Sequence, residues 1–143
     1  MNDSPASAGR EARMQEMRIT FPGGRKVAAE MNGFEIMTDQ PAAAGGEGSA
    51  PSPFDLFLAS LGTCAGIFVL GFVESRGLST EGLKIIQSME WDQAAHRMKK
   101  ISFRVVLPKD FPEKYRGAVI KAAEQCLVKR TLHDPPEFEI TAG

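Results

Sequence analysis

"PSPFDLFLASLGTCAGIFVLGFVESRG", residues 51–77, is the most apolar stretch of the chain, and its reading decides the fold. Residues 56–73 form an 18-residue run without a charged side chain. The boundary signals are those of a helix. Ser52 suits the N-cap, Pro53 the first helical position and Asp55 the place of a capping-box acid. Gly77, just after Glu74-Ser75-Arg76, is a C-terminal stop. The spacing predicts one helix of roughly 35 Å at 1.5 Å per residue. It is apolar on nearly every face, so burial on most sides is expected.

A charge-free run of this length also meets the threshold for a membrane span, and Gly62 and Gly66 make a G-x-x-x-G pair. A central core helix is the better reading. Ser60, Gly62, Thr63, Cys64 and Gly66 lower the hydropathy, and no cluster of Lys or Arg flanks one end to orient a span. Glycines serve equally where two helices cross closely.

Outward from the helix, the chain reads as alternating short elements. "EARMQEMRITF" (11–21) begins a first extended segment, "PGGR" (22–25) is a turn, and "KVAAEMNGFEIMTD" (26–39) is two strands turning at Asn32-Gly33. Residues 40–53 are a loop rich in Gly and Pro. After Gly77, "EGLKIIQSMEWD" (81–92) and "HRMKKISFRVVLP" (96–108) read as strands. "FPEKYRGAVIKAAEQCLVKRTL" (111–132) reads as a second helix. Tyr115, Ala118, Val119, Ala122 and Cys126 fall on one face of it, so Cys126 should lie inward near its end. "PPEFEITAG" (135–143) supplies a last edge strand. The order is three strands, a long helix, two strands, a helix and a final strand, an α+β arrangement. Residues 1–12 read as a disordered polar lead, and 13–143 as a single domain. A helix this long and apolar needs more cover than a small sheet provides. A dimer sharing the cover would supply it.

The chain has 143 residues with net charge −1, which gives no field toward nucleic acid or an acidic membrane as partner. The start lacks the apolar core of a secretory signal, so a cytoplasmic location is expected. There, two lone cysteines are more plausible as a catalytic or transient pair than as a structural disulfide. Cys64 and Cys126 each fit as small buried hydrophobes. Together they also fit a thiol pair, since helices packed at about 8–10 Å could bring them into bonding range. Cys64 lies mid-helix, so the N-terminus of its own helix cannot activate it, and reactivity calls for a neighbouring cation such as an arginine. Cys64, Cys126, His96 and His133 lack the close spacing of a zinc site. The histidines read as solvated, and Trp91 and Tyr115 as packing residues.

The run "GGEGSAPSPFDLFLASLGTCAG" (45–66), "RGL" (76–78) and "AAEQCLVKRTL" (122–132) resemble the OsmC/Ohr family of thiol-dependent hydroperoxide reductases, over about residues 16 to 140. The resemblance implies an intertwined homodimer, with two central helices side by side and active sites at the interface. It implies reduction of organic hydroperoxides, and of hydrogen peroxide as a secondary substrate, in oxidative-stress defence. Cys64 matches the attacking cysteine, which becomes a sulfenic acid. Cys126 matches the resolving cysteine, which closes a Cys64–Cys126 disulfide. Arg25 matches the arginine that stabilises the thiolate. No metal, haem or flavin cofactor is implied; a dithiol reductant, lipoyl groups in some members, restores the thiols.

The sequence departs from the organic hydroperoxide resistance branch at Phe54, where that branch has a glutamate that holds the arginine. The acid stands instead at Asp55, about 100° round the helix, with Glu47 as another candidate. The chain is closer to the broad OsmC-like branch. An apolar pocket built from Phe54, Phe57, Leu61 and Phe68 is expected. Two rival functions stay open: a dithiol redox or sulfur-handling protein with another substrate, and a non-enzymatic dimer binding a lipid-like ligand.

Overall fold

The computed structural model describes residues 15–143, so the predicted lead at 1–12 lies outside the described residues. The chain divides into two compact units, one ending at Phe54 and the other running from Asp55 to Gly143.

The first unit is an antiparallel meander of β1 (Arg18–Gly23), β2 (Lys26–Met31) and β3 (Phe34–Thr38), in that spatial order. Gly24 and Arg25 form the tight link between β1 and β2. Asn32 and Gly33 turn β2 into β3 with φ of 49° and 79°, the left-handed pair that Asn-Gly tolerates best. Beyond β3, the loop of residues 40–52 wraps around the carboxylate of Asp39, which is 1% exposed. Gln40 N–H (2.7 Å), Ser49 N–H (3.1 Å), Glu47 N–H (3.3 Å) and the Ser49 hydroxyl (2.6 Å) all donate to it. Gly46 is obligatory here, because a Cβ would run into the Gln40 carbonyl.

The second unit is built on α1 (Pro53–Ser75), with the bounds its caps predict. It ends as a Schellman motif: Leu78 N–H reaches Val73 O, Gly77 N–H reaches Glu74 O, and Gly77 has φ 61°. β4 (Lys84–Asp92) and β5 (Arg97–Val106) form an antiparallel hairpin. The core gathers Val69 and Val73 of α1, Phe111, and Val119 of α2 (Arg116–Ala123), with Phe72, Leu83, Ile85, Val105 and Tyr115 packed around them. Burying each such valine contributes about 1.5–3 kcal/mol. On α1, Gln87 of β4 donates to the Leu58 carbonyl at 2.9 Å, and its side-chain oxygen occupies the space a Cβ on Gly62 would need.

The α+β order of a three-stranded sheet, long helix, two-stranded sheet and helices agrees with the sequence reading. Three details differ. The predicted second helix is two, α2 and α3 (Leu127–His133), with a break at residues 124–126. Residues 135–143 form no strand: a strand needs a ladder partner, and Phe138 and Ile140 stand 87% and 97% exposed. Nor is α1 buried on most sides. Its fully buried positions are one stripe, Leu58, Leu61, Ala65, Val69 and Val73, while Ile67 is 61% exposed. The helix is long and apolar enough to cross a bilayer, and a single chain covers only that stripe.

Candidate active site

The buried stripe of α1 sets the position of Cys64. It stands one residue before Ala65, about 100° round the helix, half-buried at the edge of the packed face. Cys126 reaches the same place from the far end of the sequence. It occupies the break between α2 and α3 with φ −50° and ψ 118°, and is 3% exposed. That backbone is what an N-cap requires. The Cys126 Sγ takes the capping role, accepting from Lys129 N–H at 3.4 Å. Its S–H points to the Leu61 carbonyl, 3.8 Å away.

Starting α3 afresh at Leu127 leaves its first amides without intrahelical acceptors. Leu127 N–H donates to the Cys64 Sγ at 3.2 Å, and Val128 N–H bonds the same sulfur. Three successive amides thus end on two sulfurs. The Val128 amide does most to hold the Cys64 thiol below its ordinary range. Burial pushes it up, and the Cys126 thiol and the Leu127 amide lower it further. Cys126 is therefore within hydrogen-bonding reach of Cys64, and both are free thiols. The arrangement favours a thiolate at Cys64, with a second sulfur beside it.

This corrects one reading and adds to another. Cys126 is not on the face of a continuous helix; it lies just past the end of α2 and caps α3. A helix N-terminus does serve Cys64, but it belongs to α3 and not to the helix that carries the thiol. Leu127 and Val128 escaped the sequence reading because they act through backbone amides. "EQCLVKR" holds no glycine, proline or ordinary capping residue to announce the break.

Arg25 lies in the first unit, exposed in the β1–β2 turn. Its Nε passes 3.6 Å from the place of a Cβ on Gly45. Glu47 does not hold Arg25. Its carboxylate pairs with Lys26 at 2.7 Å, which raises the lysine pKa. The structure thus joins Cys64 and Cys126 within one unit and carries Arg25 in the other. Among the described residues, no group of three or more His, Cys, Asp and Glu converges as a metal site.

A cavity of about 240 Å³ reaches Cys126, lined also by Leu61, Ala65, Phe103, Ile120 and Lys129. Of the four residues expected to form the pocket, Leu61 alone lines it; Phe54 and Phe68 are 47% and 39% exposed.

A family model described as OsmC-like protein matches residues 46–141. No curated protein matches the sequence. Solved structures similar to this fold include a Psychrobacter arcticus 273-4 protein named for osmotic-stress induction and a detoxification response. It has 20% identity and TM-score 0.71, with 85% of this chain and 90% of that one covered. An OsmC-like protein from Mycoplasma pneumoniae has 12% identity and TM-score 0.67, covering 87% and 91%. An organic hydroperoxide resistance protein OsmC from Legionella pneumophila has 18% identity and TM-score 0.53, covering 85% and 91%. At these identities the likeness is one of fold.

Proposed function

The chain belongs to the OsmC-like protein family, and from that premise we propose that it is a cytoplasmic, cysteine-based peroxidase that reduces organic hydroperoxides in stress defence. The observation that carries this reading is the pair of α3 amides on the Cys64 sulfur, with the Cys126 thiol beside it. The name of the Legionella pneumophila neighbour supports the substrate class.

In the proposed cycle the Cys64 thiolate attacks the terminal oxygen of the hydroperoxide. The O–O bond breaks, the alcohol leaves with a proton, and Cys64 becomes a sulfenic acid. Cys126 then attacks the Cys64 sulfur. The S–S bond forms, the S–O bond breaks, and water departs with the Cys126 proton. A dithiol reductant, a lipoyl group being one candidate, restores both thiols and is itself oxidised to a disulfide. Arg25 is assigned a supporting role, its fixed positive charge favouring the thiolate. A homodimer would cover the faces of α1 that one chain leaves exposed, and residues 135–143 carry the alternation of a strand awaiting a ladder.

The test is stoichiometric. Reduced protein receives one equivalent of an alkyl hydroperoxide, and intact mass and free thiols follow over time. Loss of both thiols with the mass of an intramolecular disulfide, faster than with hydrogen peroxide, is the expected result. Two thiols that persist under both oxidants would refute the peroxidase.

A further inference from the structure

The Cys64–Cys126 disulfide of the proposed cycle offers a reductant two sulfurs, and the structure treats them differently. Cys64 holds two backbone amides on its sulfur, Leu127 at 3.2 Å and Val128. Cys126 holds one, Lys129 at 3.4 Å, and is 3% exposed. The cavity of about 240 Å³ has Cys126 in its wall, and Cys64 is not among its lining residues. Its walls are mainly apolar, from Leu61, Ala65, Phe103, Val105 and Ile120, with Glu124 and Lys129 contributing one charge of each sign.

We propose that this cavity is the docking site of the reductant, and that a small dithiol enters it and attacks the sulfur of Cys126, releasing Cys64 as the leaving thiolate. The inference rests on the disulfide of the preceding reading. Two physical requirements support it. Thiol–disulfide exchange is faster when the departing sulfur is the better-stabilised thiolate. The Leu127 and Val128 amides stand ready for a leaving Cys64 sulfur, whereas the buried Cys126 sulfur has the Lys129 amide alone. The attacking sulfur must also approach in line with the S–S bond, from the side away from the leaving sulfur. A cavity that opens on Cys126 and not on Cys64 provides such an approach.

The step balances. The incoming thiolate forms an S–S bond to Cys126, and the Cys64–Cys126 bond breaks with its electron pair on Cys64. The second thiol of the reductant then attacks the mixed disulfide at its own first sulfur. Cys126 leaves and takes up a proton, and the reductant departs as a cyclic disulfide. The cavity is smaller than the roughly 300–1,000 Å³ of drug-sized sites, so a slim uncharged dithiol fits and a bulky charged thiol does not. Dithiothreitol should therefore reduce the protein faster than glutathione at equal thiolate concentration.

The test reads which sulfur is attacked. The disulfide is made with diamide as well as with alkyl hydroperoxide, so that it is available even if peroxide fails to react. It is then exposed briefly to 2-mercaptoethanol, quenched in acid, labelled with N-ethylmaleimide and mapped by peptide mass. The expected product carries mercaptoethanol on Cys126 and maleimide on Cys64. The reverse pattern, or equal labelling of both, overturns the proposal while leaving the peroxidase reading intact. A disulfide formed by diamide but not by peroxide would sink the peroxidase reading instead. If neither oxidant forms the disulfide, both fall. In a second arm, Ile120→Glu places a charge at a half-exposed wall residue. Reduction by dithiothreitol should slow more than tenfold relative to oxidation by the hydroperoxide; equal slowing of the two half-reactions would remove the cavity from the mechanism.

Discussion

Asp39 in the first unit and Cys64 in the second both present an acidic group to backbone amides, and the two settings differ. Asp39 receives all its hydrogen bonds from within ten residues: Gln40, Glu47 and Ser49 N–H and the Ser49 hydroxyl. Its carboxyl is driven down to about 2, above all by the Ser49 hydroxyl, and the residue is 1% exposed. Such a group is charged at every physiological pH and serves as the hub of a loop. Cys64 receives its amides from 63 and 64 residues away, and its sulfur stays half-buried and within reach of a second thiol. A carboxylate surrounded by short-range donors becomes structure. A thiol given two long-range donors and left half-buried has its thiolate favoured, which is what the proposed cycle asks of its nucleophile.

The sharpest way to break this comparison is Cys64→Ser. A serine hydroxyl at that place stays protonated, so peroxide consumption should fall to the background of the uncatalysed reaction. Retained turnover in a coupled peroxidase assay would move the chemistry elsewhere. Next in size is Gly46→Ala, which drives a methyl group into the Gln40 carbonyl inside the Asp39 loop. Overpacking of this kind costs about 1–3 kcal/mol, and thermal unfolding should show a drop of several degrees; an unchanged midpoint would mean that the loop relaxes freely.

Acid titration separates the two groups further. The folded pKa of Asp39 is depressed, so its stabilising contribution is fully present above the unfolded value of about 3.9 and is lost as pH falls through about 2. Asp39→Asn should therefore be less stable than the parent at pH 6 and show a flatter decline below pH 4, measured by urea unfolding. Parallel curves for the two proteins would show that the charge does not matter.

The smallest expected effect tests the amides on Cys64. Leu127→Pro deletes one of them at a position that suits proline: it is the first helical residue of α3, Cys126 before it has ψ 118°, and Leu127 is 60% exposed. The fold should survive. Cys64 reactivity depends on the thiolate, so it is present above the thiol pKa and lost as pH falls through it. In the parent that loss should occur below the ordinary thiol value of about 8.5. In the variant it should move upward, with iodoacetamide labelling at pH 7 slower by roughly threefold to tenfold. Identical profiles would leave Val128 as the sole donor that matters.

The same division between short and long range explains what could be read in advance. The caps of α1 were legible because Pro53, Asp55 and Gly77 act within a turn of the helix ends. The Asn32-Gly33 hairpin was legible because those two residues alone meet its left-handed dihedrals. The break before α3 was not. Tyr115 to Cys126 keep a helical spacing straight through it, and propensity offers no reason to stop. Nor could the alternation in 135–143 show that one chain provides no ladder for it.

By itself, then, the sequence determined the α+β order, the length and limits of the long helix, and two thiols in a pattern that resembles a peroxide-reducing family. Only the tertiary structure decided that Cys126 lies in a break past α2 and caps α3, and that the amides so released point at Cys64. The physical reason is that the contacts which favour the break, those of Leu127 and Val128 with a sulfur more than sixty residues away, exist only once α1 and α3 have come together.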